Sequence, residues 1–268
     1  PRAALGGAKS MNVAADRPGA ALWRRLRRCC SVLLMLAIWE GAARSGLVSS
    51  FLLPAASDVL ANLWRMVTEG QLLYHTFQSL MRASAGLGLA LVLGIPLGLI
   101  RARSRLANSI LDPILAFWFP VPKVGLIPIA LLFFGLGHGS KIALVFVDAL
   151  LPLVIATYQG ALRIDNRLVW SARSMGDSEF KILSRVVLPG TLPQILTGFR
   201  LAVTVSLLVV FLAEMVASSS GLGHVMIYAL RTLETKDVFS TLIAMSLLAF
   251  IADGLVLVLR RRLLVWSE

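Results

Sequence analysis

The sequence predicts an all-α integral membrane protein of about six transmembrane helices, with both termini on the cytoplasmic side. Three observations carry that expectation. Of 268 residues, 57% are hydrophobic and 15% charged, against roughly 45–50% and 25% in an average soluble domain. The apolar residues gather in runs that can cross a bilayer core of about 30 Å, which takes about 20 helical residues. Lys and Arg cluster between those runs and, if the spans alternate, on one side.

Residues 1–20 are small and polar, without an apolar period, and are expected to be a disordered tail ahead of a single transmembrane domain over 21–268. The first run, 29–48, follows Arg24, Arg25, Arg27 and Arg28. Arg24 to Leu36 has the charged and apolar regions of a secretory signal but no A-x-A-like site before Glu40, so it is read as the first anchor. Over 55–75, Val59, Leu60, Leu63, Trp64 and Val67 recur at helical spacing. They predict an amphipathic helix, lying at the outer interface or packed within the protein.

The second run is 81–100, and Gly94 and Gly98 within it allow close helix approach, to this chain or a second copy. The third, 106–135, is too long for one straight span. Pro113, Pro120, Pro122 and Pro128 predict a break near Phe119-Pro120-Val121-Pro122. Broken backbone at membrane depth needs a covering of protein or a water-filled cavity, so this segment is a candidate pathway wall. Runs at 141–160, 192–217 and 240–259 complete the set. The Arg101–Arg105 cluster, the group from Arg163 to Arg185, and Arg260 to Arg262 then share the side of the first arginine cluster.

The net charge of +12 does not indicate a nucleic-acid partner, because the charges flank apolar runs and form no single basic face. Cys29 and Cys30 are adjacent, which suits neither a disulfide framework nor a metal site. His75, His138 and His224 are scattered and read as surface residues near the outer side, without H-E-x-x-H. Gly137 to Lys141 lacks the spacing of a phosphate loop. No metal, cofactor or catalytic constellation is expected on this chain.

Asp165 to Arg200 is the most informative stretch. Residues 166–175 form a short amphipathic helix ended by Gly176, a good left-handed C-terminal residue. Asp177 or Ser178 can cap a second helix through Arg185, and Pro189 and Pro193 punctuate the approach to the fifth run. Two short helices with mixed charge and exposed Trp170, Met175 and Phe180 suit docking into a groove on another protein, or form an ordinary structured loop.

This stretch resembles the cytoplasmic signature of ATP-binding-cassette importer permeases, E-A-A-x3-G-x9-I-x-L-P. Ser171 and Ala172 stand at the two Ala positions, Gly176 at the Gly, Val186 at the Ile, and Leu188-Pro189 at the end, with Trp170 in place of Glu. Phe51 to Val59 is similar to the family's LPSPxxV segment. Phe119-Pro120-Val121-Pro122-Lys123, Ile127-Pro128 and Phe134 to Gly137 resemble a stretch of the nitrate, sulfonate and taurine branch. Glu214, Gly221-Leu222-Gly223 and Asp253 also sit where that branch has such residues.

The resemblance implies a type I importer permease in a bacterial inner membrane, working as a homodimer in lipid. Its coupling segment would lie over 161–190, with two cytoplasmic ATP-binding subunits and a periplasmic or lipid-anchored substrate-binding protein as partners. ATP and Mg²⁺ would be used by the partner ATPase. The substrate implied is a small anion or organic solute such as nitrate, a sulfonate or taurine.

Glu40, Asp112, Asp148, Glu214 and Asp253 lie within or at the ends of apolar runs, where an ionisable group is costly and is paired or faces a cavity. Glu40 and Asp253, near span ends, suit snorkelling or structural pairing. Asp148 and Glu214 either line the pathway or make structural bonds. Lys123, beside the Pro120-x-Pro122 break, either attracts an anion or marks the interface. An ion-coupled secondary transporter built from broken helices and midplane acids is the alternative function.

Overall fold

The computed structural model describes residues 18–46 and 48–264, with side chains from Cys30 onward. The tail expected over 1–20 lies outside the described residues, except that Pro18 opens helix α1 (Pro18–Arg44). Ten more α-helices follow: α2 (Ala56–Thr68), α3 (Gln71–Arg103), α4 (Arg105–Trp118), α5 (Ile127–Phe134), α6 (His138–Leu162), α7 (Asn166–Ser174), α8 (Glu179–Ile182), α9 (Leu188–Ala217), α10 (Leu222–Arg231) and α11 (Thr235–Leu263). The chain divides into two compact units, Pro1–Asp58 and Val59–Glu268.

In the first unit the segment after α1 folds back on it. Trp39 Nε1 donates to the Pro54 carbonyl at 3.1 Å. The Glu40 carboxylate accepts from Ser57 N at 3.1 Å, Ser57 Oγ at 2.8 Å and Arg44 Nε at 2.5 Å. Glu40 is thus a paired group that orders the turn.

In the second unit, α3, α6 and α9 form the packed centre. Glycines set their spacing, since a lipid-embedded interface gains by close backbone approach. A Cβ on Gly86 would stand 2.6 Å from Val145 Cγ1, and one on Gly98 2.6 Å from Thr157 Cβ. Gly94 faces Leu153 of the same chain, which settles the partner of the Gly94-x3-Gly98 pair. Between α6 and α9, a Cβ on Gly198 would stand 2.5 Å from that of Ala156. Arg200 holds Asp253 bidentately through one guanidinium edge, Nε donating to Oδ1 at 2.5 Å and Nη2 to Oδ2 at 2.7 Å, and so ties α9 to α11.

Among the described residues, four helical stretches are long and apolar enough to cross a membrane: α3, α6, Glu179–Ala217 and α11. Arg105–Trp118 and Lys123–Phe134 pass the same test as one pair bent by 91°, giving five. The bend falls at the expected Phe119–Pro122 break. The sixth span, expected over 29–48, is not among them.

The face of α2 that carries Val59 and Met66 is buried, while Trp64 is exposed. Asn62 Nδ2 donates to Asp237 Oδ1 at 2.6 Å and to Ser240 Oγ at 3.0 Å, joining α2 to the start of α11. Of the two readings of this amphipathic helix, packing within the protein is present.

Candidate functional site

Three assemblies of the second unit hold the candidate site residues. The first is the segment 161–190. Asp165 caps α7 by accepting from Arg167 N at 2.9 Å. Gly176 then turns the chain at φ +82°, a conformation in which an L side chain is strained. Across this turn Arg173 Nε donates to Glu179 Oε1 at 2.6 Å, which holds the guanidinium's pKa above its ordinary value.

The second helix differs from expectation. Ser178 precedes it without a side-chain cap, and α8 does not stop near Arg185. It widens into a π turn, Leu183–Val187, and runs on into α9. Pro189 has no N–H to offer the Arg185 carbonyl, and a local π adjustment accommodates the missing bond. Behind the segment, Val169, Ala172, Ile182 and Val187 are buried against Leu99 and Ala161. In front, Trp170, Met175 and Phe180 are exposed, at 61%, 74% and 78%. Ser171, Gly176 and Pro189 are also exposed or half-buried, and Val186 and Leu188 are half-buried.

The second assembly is a cavity of about 430 Å³ bounded by the α4–α5 break, α6 and α9. Lys123 and Asp148 both line it, 3.8 Å apart. Lys123 Nζ also donates to the Phe119 carbonyl at 2.9 Å. Pro120 and Pro122 shape the break that delivers Lys123 but are not among the lining residues, and neither is Glu214.

Glu214 belongs to the third assembly, at the opposite end of α3 from Leu99. Its carboxylate accepts from Arg82 Nη1 at 2.6 Å, Ser79 Oγ at 2.7 Å and Gly223 N at 3.2 Å. Arg82 also donates to the Ser220 carbonyl at 2.8 Å, to Ser220 Oγ at 2.6 Å and to His138 Nδ1 at 3.0 Å. His75 Nδ1 accepts from Gly221 N at 3.0 Å. His75 is therefore half-buried and bonded, where a surface residue was expected; His138 is bonded but exposed. Sequence reasoning missed Arg82. Its signal was an arginine inside an apolar run, which demands a buried partner.

The inner-membrane component of binding-protein-dependent transport systems is the family whose model matches residues 90–265. The chain belongs to that family. Among its relatives, a permease assigned to aliphatic sulfonate transport in Escherichia coli (strain K12), SsuC, is 35% identical over 233 residues, covering 87% of this chain and 89% of that one. The taurine transport permease TauC of the same organism is 31% identical over 241 residues, covering 88% of each. The Bacillus subtilis (strain 168) SsuC is 31% identical over 252 residues, 94% of this chain and 91% of that one.

A chain of the MetNI methionine ABC transporter, in an inward-facing structure, superposes with a TM-score of 0.65 at 18% identity. It covers 73% of this permease and 97% of that chain. That likeness concerns the fold. This protein is a multi-pass ABC importer permease of the sulfonate and taurine branch, a subunit type that works with separate ATPase subunits.

Proposed function

We propose that two copies of this permease form the translocation pathway of an inner-membrane importer, and that segment 161–190 of each copy docks on a cytoplasmic ATPase subunit. One observation carries the reading. Trp170 and Phe180 project from two short helices and Met175 from the turn between them, the other face of the segment is packed against the bundle, and the second helix continues into α9. Such a segment is a rigid lever, with its apolar contacts turned outward.

ATP-driven closure of the ATPase pair shifts the levers, and the spans rock between inward- and outward-open states. This requires the docked lever to favour one state when ATP is bound. ATP and Mg²⁺ act on the ATPase, and a periplasmic or lipid-anchored binding protein delivers the substrate. The sulfonate and taurine relatives support a small anion or organic solute. Helix α1 serves as the sixth span, with both termini in the cytoplasm.

The test is ATP hydrolysis by the reconstituted complex with loaded binding protein. Phe180→Asp and Met175→Asp alter exposed side chains, so the permease should still assemble, with stimulated hydrolysis reduced at least about tenfold, the effect of losing a central apolar anchor. Unaltered stimulation in both would sink the docking assignment.

A further inference from the structure

The charge pair on the cavity wall bears on the ligand itself, provided that the chain works as the importer permease proposed for it. Lys123 arrives from the broken backbone after α4, and Asp148 from the middle of α6. Their side chains are 18% and 16% exposed. At 3.8 Å they attract one another without a hydrogen bond, which would bring them to about 2.7–3.2 Å. The wall beside them is largely apolar, with Leu151, Ile155, Leu201 and Val205.

Those facts discriminate among ligands by charge. A plain anion drawn to Lys123 takes the cation's field from Asp148 and leaves a lone carboxylate in a poorly solvated site. A plain cation on Asp148 strands Lys123 in the same way. Leaving one member of a desolvated pair without its counter-charge is the costly outcome. A molecule bearing both charges gives each wall group a partner at once.

We propose that this cavity binds a small zwitterion. Its acidic group lies on Lys123, its ammonium group on Asp148, and its apolar body against α6 and α9. The volume is within the range of small-molecule sites and leaves room beside the charged ends.

The permease complex with its ATPase subunits, purified without the binding protein, is titrated calorimetrically with three probes of equal chain length: homotaurine, propanesulfonate and propylamine. Homotaurine should bind at least about tenfold more tightly than either single-charge probe, as one charge-assisted bond is worth that much. Asp148→Asn should bring the homotaurine-to-propanesulfonate ratio close to one, and Lys123→Gln should do so for homotaurine against propylamine. Exchanging the charges, Lys123→Asp with Asp148→Lys, should keep the preference because the ligand can turn around. That variant also covers the case in which a single substitution does not assemble.

Equal affinities for the three probes, absence of binding by all of them, or a ratio unchanged in Asp148→Asn would each overturn the assignment. Stimulated ATP hydrolysis is read on the same preparation. A complex that couples normally but treats the probes alike defeats the zwitterion site alone, whereas one that never couples defeats the importer reading.

Discussion

Both oxygens of Glu214 are committed, to Arg82 on one side and to Ser79 and Gly223 on the other, with the side chain fully buried. Removing the carboxylate leaves the Arg82 guanidinium, itself only 3% exposed, without its counter-charge. Glu214→Ala should therefore lower stability by about 3–5 kcal/mol, and Arg82→Met combined with Glu214→Leu should recover most of that loss. Thermal unfolding of the purified permease in detergent checks both. Gly221 beside this pair has φ +104°, and an added Cβ would overlap the Glu214 carboxylate. Gly221→Ala should cost about 1–3 kcal/mol by the same measurement, because backbone strain and displacement of the ion pair act together.

At the scale of elements, glycines determine how near α3 lies to α6. Gly98 has Thr157 and the Val154 carbonyl within 3 Å of an added Cβ, Gly94 has Leu153 at 3.1 Å, and Gly88 has nothing within 4 Å. Destabilisation by Gly→Ala should rank Gly98 above Gly94. Gly88→Ala should stabilise by up to about 1 kcal/mol, since it only restricts the unfolded chain and favours helix. Unfolding midpoints of the three variants in one detergent decide the order. A different constraint acts at the other end of the bundle. The π turn at Leu183–Val187 keeps α8 continuous with α9 despite Pro189. A push on Phe180 is thus delivered along a helix and is not absorbed by a loop.

For the whole molecule, the exposed groups divide by the solvent they meet. Phe250 and Leu255 on α11 face outward from a helix long enough to span lipid. Trp170 and Met175 face outward from a segment rich in charge. In a background with Cys29 and Cys30 changed to Ser, and with the permease produced without its ATPase subunits, Met175→Cys should react with a water-soluble maleimide only in inside-out vesicles. Phe250→Cys should react only with a lipid-soluble one. Labelling of Met175→Cys from the periplasmic side would reverse the orientation and remove the docking assignment.

Much of this organisation was legible along the chain. Apolar run length marks the spans from α3 onward, Pro120 and Pro122 mark the bend, and Gly176 with Leu188-Pro189 marks the two-helix segment over 161–190. Each depends on neighbours a few residues apart, through hydrogen-bond spacing, fixed φ or a left-handed turn, so the local sequence suffices. The expected stop near Arg185 did not occur, because a proline ends a helix only where a neighbouring turn cannot widen to accommodate it.

The sequence by itself determined a lipid-embedded helical chain, where it bends, and which loop carries the family's signature. Tertiary structure alone decided that Glu214 meets Arg82, 132 residues away, and that Asp148 meets Lys123 across a cavity. Which face of one helix meets which face of another depends on packing summed over the whole bundle. A charge's partner is therefore fixed only when the helices have come together.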